Sequence, residues 1–196
     1  MHSIIILMHT VSLLQQCPEN PPAYENFEIY KNIHEQAAND CRNAPPEKVD
    51  KELIWKLIEI ESYWDPPDNL KGMLLAAACY ESGYNPEAKG DRKFSKDKKT
   101  PKARGLFQMW PWWESDRWGY SIKRTDPHQA AGAFMQHIHK MLTKVKKECR
   151  FRSEEKIWVA AWVRAIRKPK PGGRCYERPY HLRVLRRWQK NIKKKK

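Results

Sequence analysis

Apolar residues recur at helical spacing along most of the chain, and no alternating strand pattern of useful length occurs. Pro18, Pro21 and Pro22 mark residues 18–26 as a linker, and Tyr24 to Asn39 reads as a short acidic helix or arm. Pro45 and Pro46 open a helix whose apolar positions are Leu53, Leu57, Ile60 and Trp64. The turn Asp65-Pro66-Pro67-Asp68 leads into a second apolar helix from Asn69, a candidate N-cap, to Glu81, with Gly83 as its stop and Pro86 beyond. Residues 90–104 are polar and rich in lysine, and predict a mobile loop. Asp126-Pro127 is a strong helix start, with Ala131, Phe134, Ile138, Met141 and Val145 on the buried stripe and Lys144, Lys146 and Lys147 at the end where they suit the helix dipole. Ser153-Glu154-Glu155 starts a further helix with Ile157, Ala161 and Ala165 on one face. Pro169, Pro171, Gly172 and Gly173 break it before a last helix carrying Leu182, Leu185 and Trp188. The fold class these elements predict is mainly α.

One position breaks the pattern chemically. The stripe Leu70, Met73, Leu74, Ala77 continues onto Glu81. A carboxyl group on the buried face of an alanine-rich helix is costly unless it is neutral or satisfied, and such surroundings suit a general acid. The plain alternative is a helix-end carboxylate that reaches solvent or pairs with an arginine. No Cys-x-x-Cys or His-Glu-x-x-His spacing occurs, and His137 and His139, two apart, point to different sides of their helix. Neither a metal nor another cofactor is expected. Ser82 lacks an evident histidine partner, which argues against a serine nucleophile.

Glu81-Ser82-Gly83-Tyr84-Asn85-Pro86, followed one loop later by Ala103-Arg104-Gly105-Leu106-Phe107-Gln108-Met109, resembles the soluble lytic transglycosylase family of peptidoglycan-cleaving enzymes. The resemblance implies a lysozyme-like helical domain with a catalytic cleft, extending over residues 47–190. It implies that Glu81 is the catalytic acid and then base, and that Ser82 orients the site. Gly105, Leu106, Phe107 and Gln108 would line the cleft, with Gln108 bonding an N-acetyl or hydroxyl group. At Gly105 the missing side chain would let backbone approach the ligand. The family's third motif, Ala-Tyr-Asn-Ala-Gly, corresponds here to Ala160-Ala161-Trp162-Val163-Arg164-Ala165, with tryptophan in place of tyrosine and neither asparagine nor glycine. In the later segment Glu177 to Leu185, Tyr180 is the candidate for a tyrosine that approaches the catalytic carboxylate; simple packing against the last helix is the alternative.

Such enzymes work with one carboxyl group, because the substrate's own acetamido group stabilises the developing cation and its 6-hydroxyl closes a 1,6-anhydro ring. The runner-up is a hydrolytic muramidase, which pairs two carboxyl groups; Asp91, Glu114 and Asp116 are the candidates for the second. A non-catalytic cell-wall-binding protein is the third reading, and the altered third motif speaks for it.

Composition adds the surroundings. The net charge is +15, and 20 of the 38 basic residues lie from Lys144 onward, ending in a basic tail at 191–196. That surface fits the anionic cell wall around peptidoglycan glycan strands. Nucleic acid would also satisfy the charge, with the nine tryptophans as stacking platforms. No recognition motif accompanies them, and several fall on helical stripes, so no nucleic-acid partner is expected; the protein reads as a monomer. Residues 1–17 contain a short apolar run suited to an export signal, with a native first helix as the alternative, and Leu14-Gln15-Gln16-Cys17 faintly resembles a lipoprotein cleavage site. Residues 18–46 then make an N-terminal linker and arm. An exported, periplasmic or envelope-associated protein would keep Cys41, Cys79, Cys149 and Cys175 for disulfides. Of the three connectivities, Cys149 with Cys175 is the favoured pair, and Cys79 has a buried free thiol as its alternative.

Overall fold

The structure, a computed structural model, describes residues 24–94, 96–97, 99–115, 119–166, 175 and 178–195. The expected export signal and Cys17, Asp116, and the breaker Pro169 to Gly173 lie outside the described residues. Among the described residues six helices carry the fold: α1 Tyr24–Asn39, α2 Lys51–Tyr63, α3 Met73–Ser82, α4 Pro127–Glu148, α5 Glu154–Ile166 and α6 His181–Lys195. The protein is mainly α. One correction concerns the lysine-rich segment, whose ends pair as two antiparallel strands, β1 Lys89–Gly90 and β2 Ala103–Arg104, in the register Lys89 to Arg104 and Gly90 to Ala103. A pairing of two residues is too short to leave an alternating pattern in the sequence.

The central element is α3. Every residue from Met73 to Cys79 is buried, so the helix has no polar face, and α1, α2 and α6 pack around it. The stripe expected from sequence is therefore the whole circumference. Burial stops abruptly at the last turn, where Tyr80 is exposed and the Glu81 side chain keeps 26% of its accessible surface. Gly83, in the left-handed conformation, ends the helix.

The start of α3 differs from the sequence expectation. Asn69 does not cap it: Asp68–Leu70 is a short 3₁₀ turn, and the cap position is Gly72, which has no side chain to offer. The first turn is capped instead from α2. Glu61, fully buried, accepts hydrogen bonds from the backbone N–H groups of Gly72 and Leu74 and from the Tyr30 hydroxyl. A carboxylate at a helix N-terminus meets both the unpaired N–H groups and the positive end of the dipole.

The far end of α3 is tied down by three links. Cys79 is bonded to Cys41, so the free-thiol alternative for Cys79 is wrong, and Cys149 is bonded to Cys175 as favoured. Asn43 donates to the carbonyls of Cys79 and Tyr80, at 3.3 and 2.8 Å. Next to Cys41, Asp40 receives α6: its backbone carbonyl accepts from Arg187 and Trp188, and its carboxylate accepts from Arg187 and Asn191. The C-terminal end of α3 and the middle of α6 are thereby fixed to the same segment, residues 40–43. The lysines expected as a separate tail continue α6 as far as Lys195.

Across from this layer, α4 packs along α5. Asp126 caps α4 by accepting from the Gln129 N–H, and Ala131, Phe134, Ile138, Met141 and Val145 are buried as the stripe predicts.

Candidate active site

Glu81 opens onto a pocket of about 290 Å³ where the two layers meet. It is lined by Phe107 to Trp110, Trp112 and Trp113, together with Asp91, Phe134, Ala165, Ile166 and His181. Phe107 stacks on Phe134 with ring centroids 4.9 Å apart, which joins the segment after β2 to α4.

That segment is held from behind by a buried cation. The Arg124 guanidinium donates to the carbonyls of Lys102 and Met109, both at 2.8 Å, and to the Glu114 carboxylate at 2.9 Å. Hydrogen bonding to Arg124 holds the Glu114 carboxyl below the ordinary carboxylate range. Backbone bonds between Arg104 and Met109 in both directions close residues 105–108 into a tight turn. Gly105 and Gln108 both adopt positive φ, at 78° and 47°.

The glycine at 105 has an internal reason rather than the expected ligand-facing one. A Cβ there would lie 1.9 Å from the carbonyl oxygen of Arg124, and the backbone is left-handed. Gly90 performs a related service for the site: a Cβ on it would come within 2.2 Å of Gln108 Oε1, so its absence makes room for the amide. Gln108 Nε2 donates to the Gly105 carbonyl at 3.0 Å, which sets the orientation of the side chain along the pocket wall.

Of the site residues that the resemblance implies, Glu81, Phe107 and Gln108 come together in the pocket. The others do not line it. Leu106 is a core residue, and Ser82 turns its hydroxyl back to the Ala78 carbonyl within its own helix. Tyr180 is half exposed and stacked on Tyr80 at 6.0 Å, with the Arg183 guanidinium 5.7 Å from its ring centre. The residue that reaches the carboxyl group is its neighbour His181. His181 Nε2 lies 2.9 Å from Glu81 Oε1, and the Trp162 indole N–H donates to His181 Nδ1 at 3.0 Å. Both His181 and Trp162 are buried to 2% exposure.

A signal for His181 was present in the sequence. It shares the buried stripe of α6 with Val184, Leu185 and Trp188, at spacings of three, four and seven, and a histidine on such a stripe needs hydrogen-bond partners. The candidates for a second carboxylate separate as well. Glu114 is engaged by Arg124, whereas Asp91 lines the pocket and accepts the Trp110 indole N–H at 3.0 Å.

Elsewhere, His137 is hydrogen-bonded to the Tyr120 hydroxyl and is pushed down to about 4 by burial and by the charges of Lys140 and Lys144. It is a core histidine, neutral at ordinary pH. Among the described residues no three His, Cys, Asp or Glu side chains gather as metal ligands would. Comparison of the chain with protein-family models, with curated proteins and with solved structures finds no match.

Proposed function

We propose that this protein is a peptidoglycan lytic transglycosylase of lysozyme-like fold, cleaving the β-1,4 bond between N-acetylmuramic acid and N-acetylglucosamine. The observation that carries the reading is the seating of Glu81: a carboxyl group at the end of a fully buried helix, with one oxygen engaged by His181, facing an aromatic pocket that also presents the Gln108 amide. Aromatic faces pack against pyranose rings, and fixed amides select their substituents.

In this reading Glu81 protonates the glycosidic oxygen, and the substrate's 2-acetamido group stabilises the cation that develops at the muramyl carbon. Glu81, now a base, takes the proton of the muramyl 6-hydroxyl, whose oxygen closes the 1,6-anhydro ring. One carboxyl group serves both steps, and no water is consumed. Two disulfides support an oxidising compartment such as the periplasm or cell envelope.

A second reading, hydrolysis, has Asp91 in its favour, because a second carboxylate in the same pocket is what water activation requires. Mass spectrometry of peptidoglycan digested by the protein separates the two. Anhydromuropeptides are the expected product; reducing ends would assign a hydrolase with Asp91 as base, and absence of any cleavage would remove both readings.

A further inference from the structure

The two places where the chain departs from the resembled family pattern touch each other. Trp162 stands at the third motif's tyrosine position, and His181 rather than the tyrosine beside it meets the candidate acid. Donor and acceptor counting makes this contact informative. An indole nitrogen can only donate, so His181 Nδ1 must accept from Trp162. A neutral imidazole that accepts at one nitrogen carries its proton on the other, so Nε2–H donates to Glu81 Oε1. A tyrosine hydroxyl, which both donates and accepts, would leave the tautomer open. The tryptophan is itself fixed: its ring stands edge-on to Phe134 at 5.5 Å in the core.

We propose that Trp162 and His181 form a tautomer lock that confines the exchangeable proton of Glu81 to Oε2. Oε1 accepts from His181 in the ionised and in the protonated carboxyl group alike, so it never carries the proton. Among the described residues no hydrogen bond engages Oε2. Resting on the transglycosylase reading, the sequence of bonds is then defined. The Oε2–H bond and the glycosidic bond from the muramyl anomeric carbon to O4 break together, the electron pair of the latter leaving on O4, which gains the proton as the 4-hydroxyl of N-acetylglucosamine. The 6-hydroxyl O–H of the muramyl residue breaks next, its oxygen bonds to the anomeric carbon, and Oε2–H is restored. His181 and Trp162 are positioning residues that exchange no proton with the substrate.

The lock is read directly by ¹⁵N NMR of the imidazole in the full chain. At neutral pH the wild type should show its His181 proton on Nε2, and Trp162→Phe, which keeps a ring but removes the N–H, should show a mixture of tautomers. On peptidoglycan, Trp162→Phe should lower kcat about tenfold with KM unchanged. His181→Gln, whose amide can donate to Oε1 and accept from Trp162, should stay within about threefold of wild type. His181→Phe should lose about 10- to 100-fold, the worth of one hydrogen bond to a charged group. A wild-type proton on Nδ1, a doubly protonated ring at neutral pH, or equal losses in folded His181→Gln and His181→Phe would overturn the proposal. A wild-type protein that cleaves no peptidoglycan would instead remove the transglycosylase reading, and the ring signal alone would then decide the lock.

Discussion

An amide at position 81 keeps an oxygen for the His181 bond and loses the transferable proton. Glu81→Gln should therefore melt near the wild-type temperature while cleavage falls by about 10²- to 10⁴-fold or more, the usual worth of general acid and base work. Near-normal turnover would remove Glu81 from the mechanism. At Gln108 the φ of 47° is already borne by a residue with a Cβ, so Gln108→Ala removes the amide without adding backbone strain. In that variant glycan binding measured by calorimetry should weaken while the melting temperature holds. Unfolding of this variant would make the Gln108 to Gly105 bond structural. At this scale the sequence announced the residues whose chemistry conflicts with their neighbours: a carboxyl group ending an apolar helix, and an amide after a glycine. It did not announce His181 as the partner of Glu81, because that contact joins positions 100 residues apart and depends on how α6 is rotated against α3.

Helices with one polar face were legible, and α4 is the clearest case, with its cap, first-turn proline and buried stripe all in the expected places. The start of α3 was not. Its cap is supplied by Glu61 from another helix: Glu61 follows Leu53 and Leu57 at spacings of four on the buried face of α2, but the sequence does not tell that this face meets the N-terminus of α3. Burial raises the Glu61 carboxyl to about 7, against the pull of its three donors. Its folded value thus exceeds the unfolded one, so the folded state binds the proton more tightly. The stabilising contribution is complete below about pH 4.5 and is lost as pH rises through about 7, amounting at most to about 3 kcal/mol. Urea midpoints of the wild type should fall across that window. Glu61→Gln, which cannot titrate, should be less stable at acid pH by about 1–3 kcal/mol, since its NH₂ faces a backbone donor, and should lack that fall. The depressed Glu114 carboxyl has the opposite sign: its contribution is present above the ordinary carboxylate value and disappears as pH drops below it, so the two effects occupy different ranges. A wild-type midpoint that does not fall between pH 4.5 and 7 would mean that the three hydrogen bonds outweigh burial at Glu61.

Over the whole molecule the dominant quantity is charge, and the fold gives it a direction. α6 buries His181, Leu182, Val184, Leu185 and Trp188 against the core and leaves Arg183, Arg186, Lys190, Lys193 and Lys194 exposed, so the cations form a stripe along a rigid helix rather than a loose tail. The stripe begins two residues after His181, at the end of α6 that reaches the pocket. An anionic wall polymer held along α6 would concentrate glycan strands at Glu81 without contributing to the bond-breaking step. Replacing Arg186, Lys190, Lys193 and Lys194 by glutamine lowers the net charge from +15 to +11 and leaves Arg183, near the aromatic pair, untouched. Sedimentation with intact sacculi should show weaker binding for this variant. Raising salt from about 0.1 to 1 M, which shortens the Debye length from about 10 to 3 Å, should weaken the wild type in the same way. Cleavage of short soluble glycans should change little under either treatment. Equal sensitivity of both substrates would shift the important cations to the strand pair that precedes pocket residues Asp91 and Phe107, and Lys89, Lys102 and Arg104 become the residues to neutralise. Tight, salt-dependent binding to nucleic acid by a protein inactive on peptidoglycan would assign the stripe to a different polyanion and remove the enzyme reading with it.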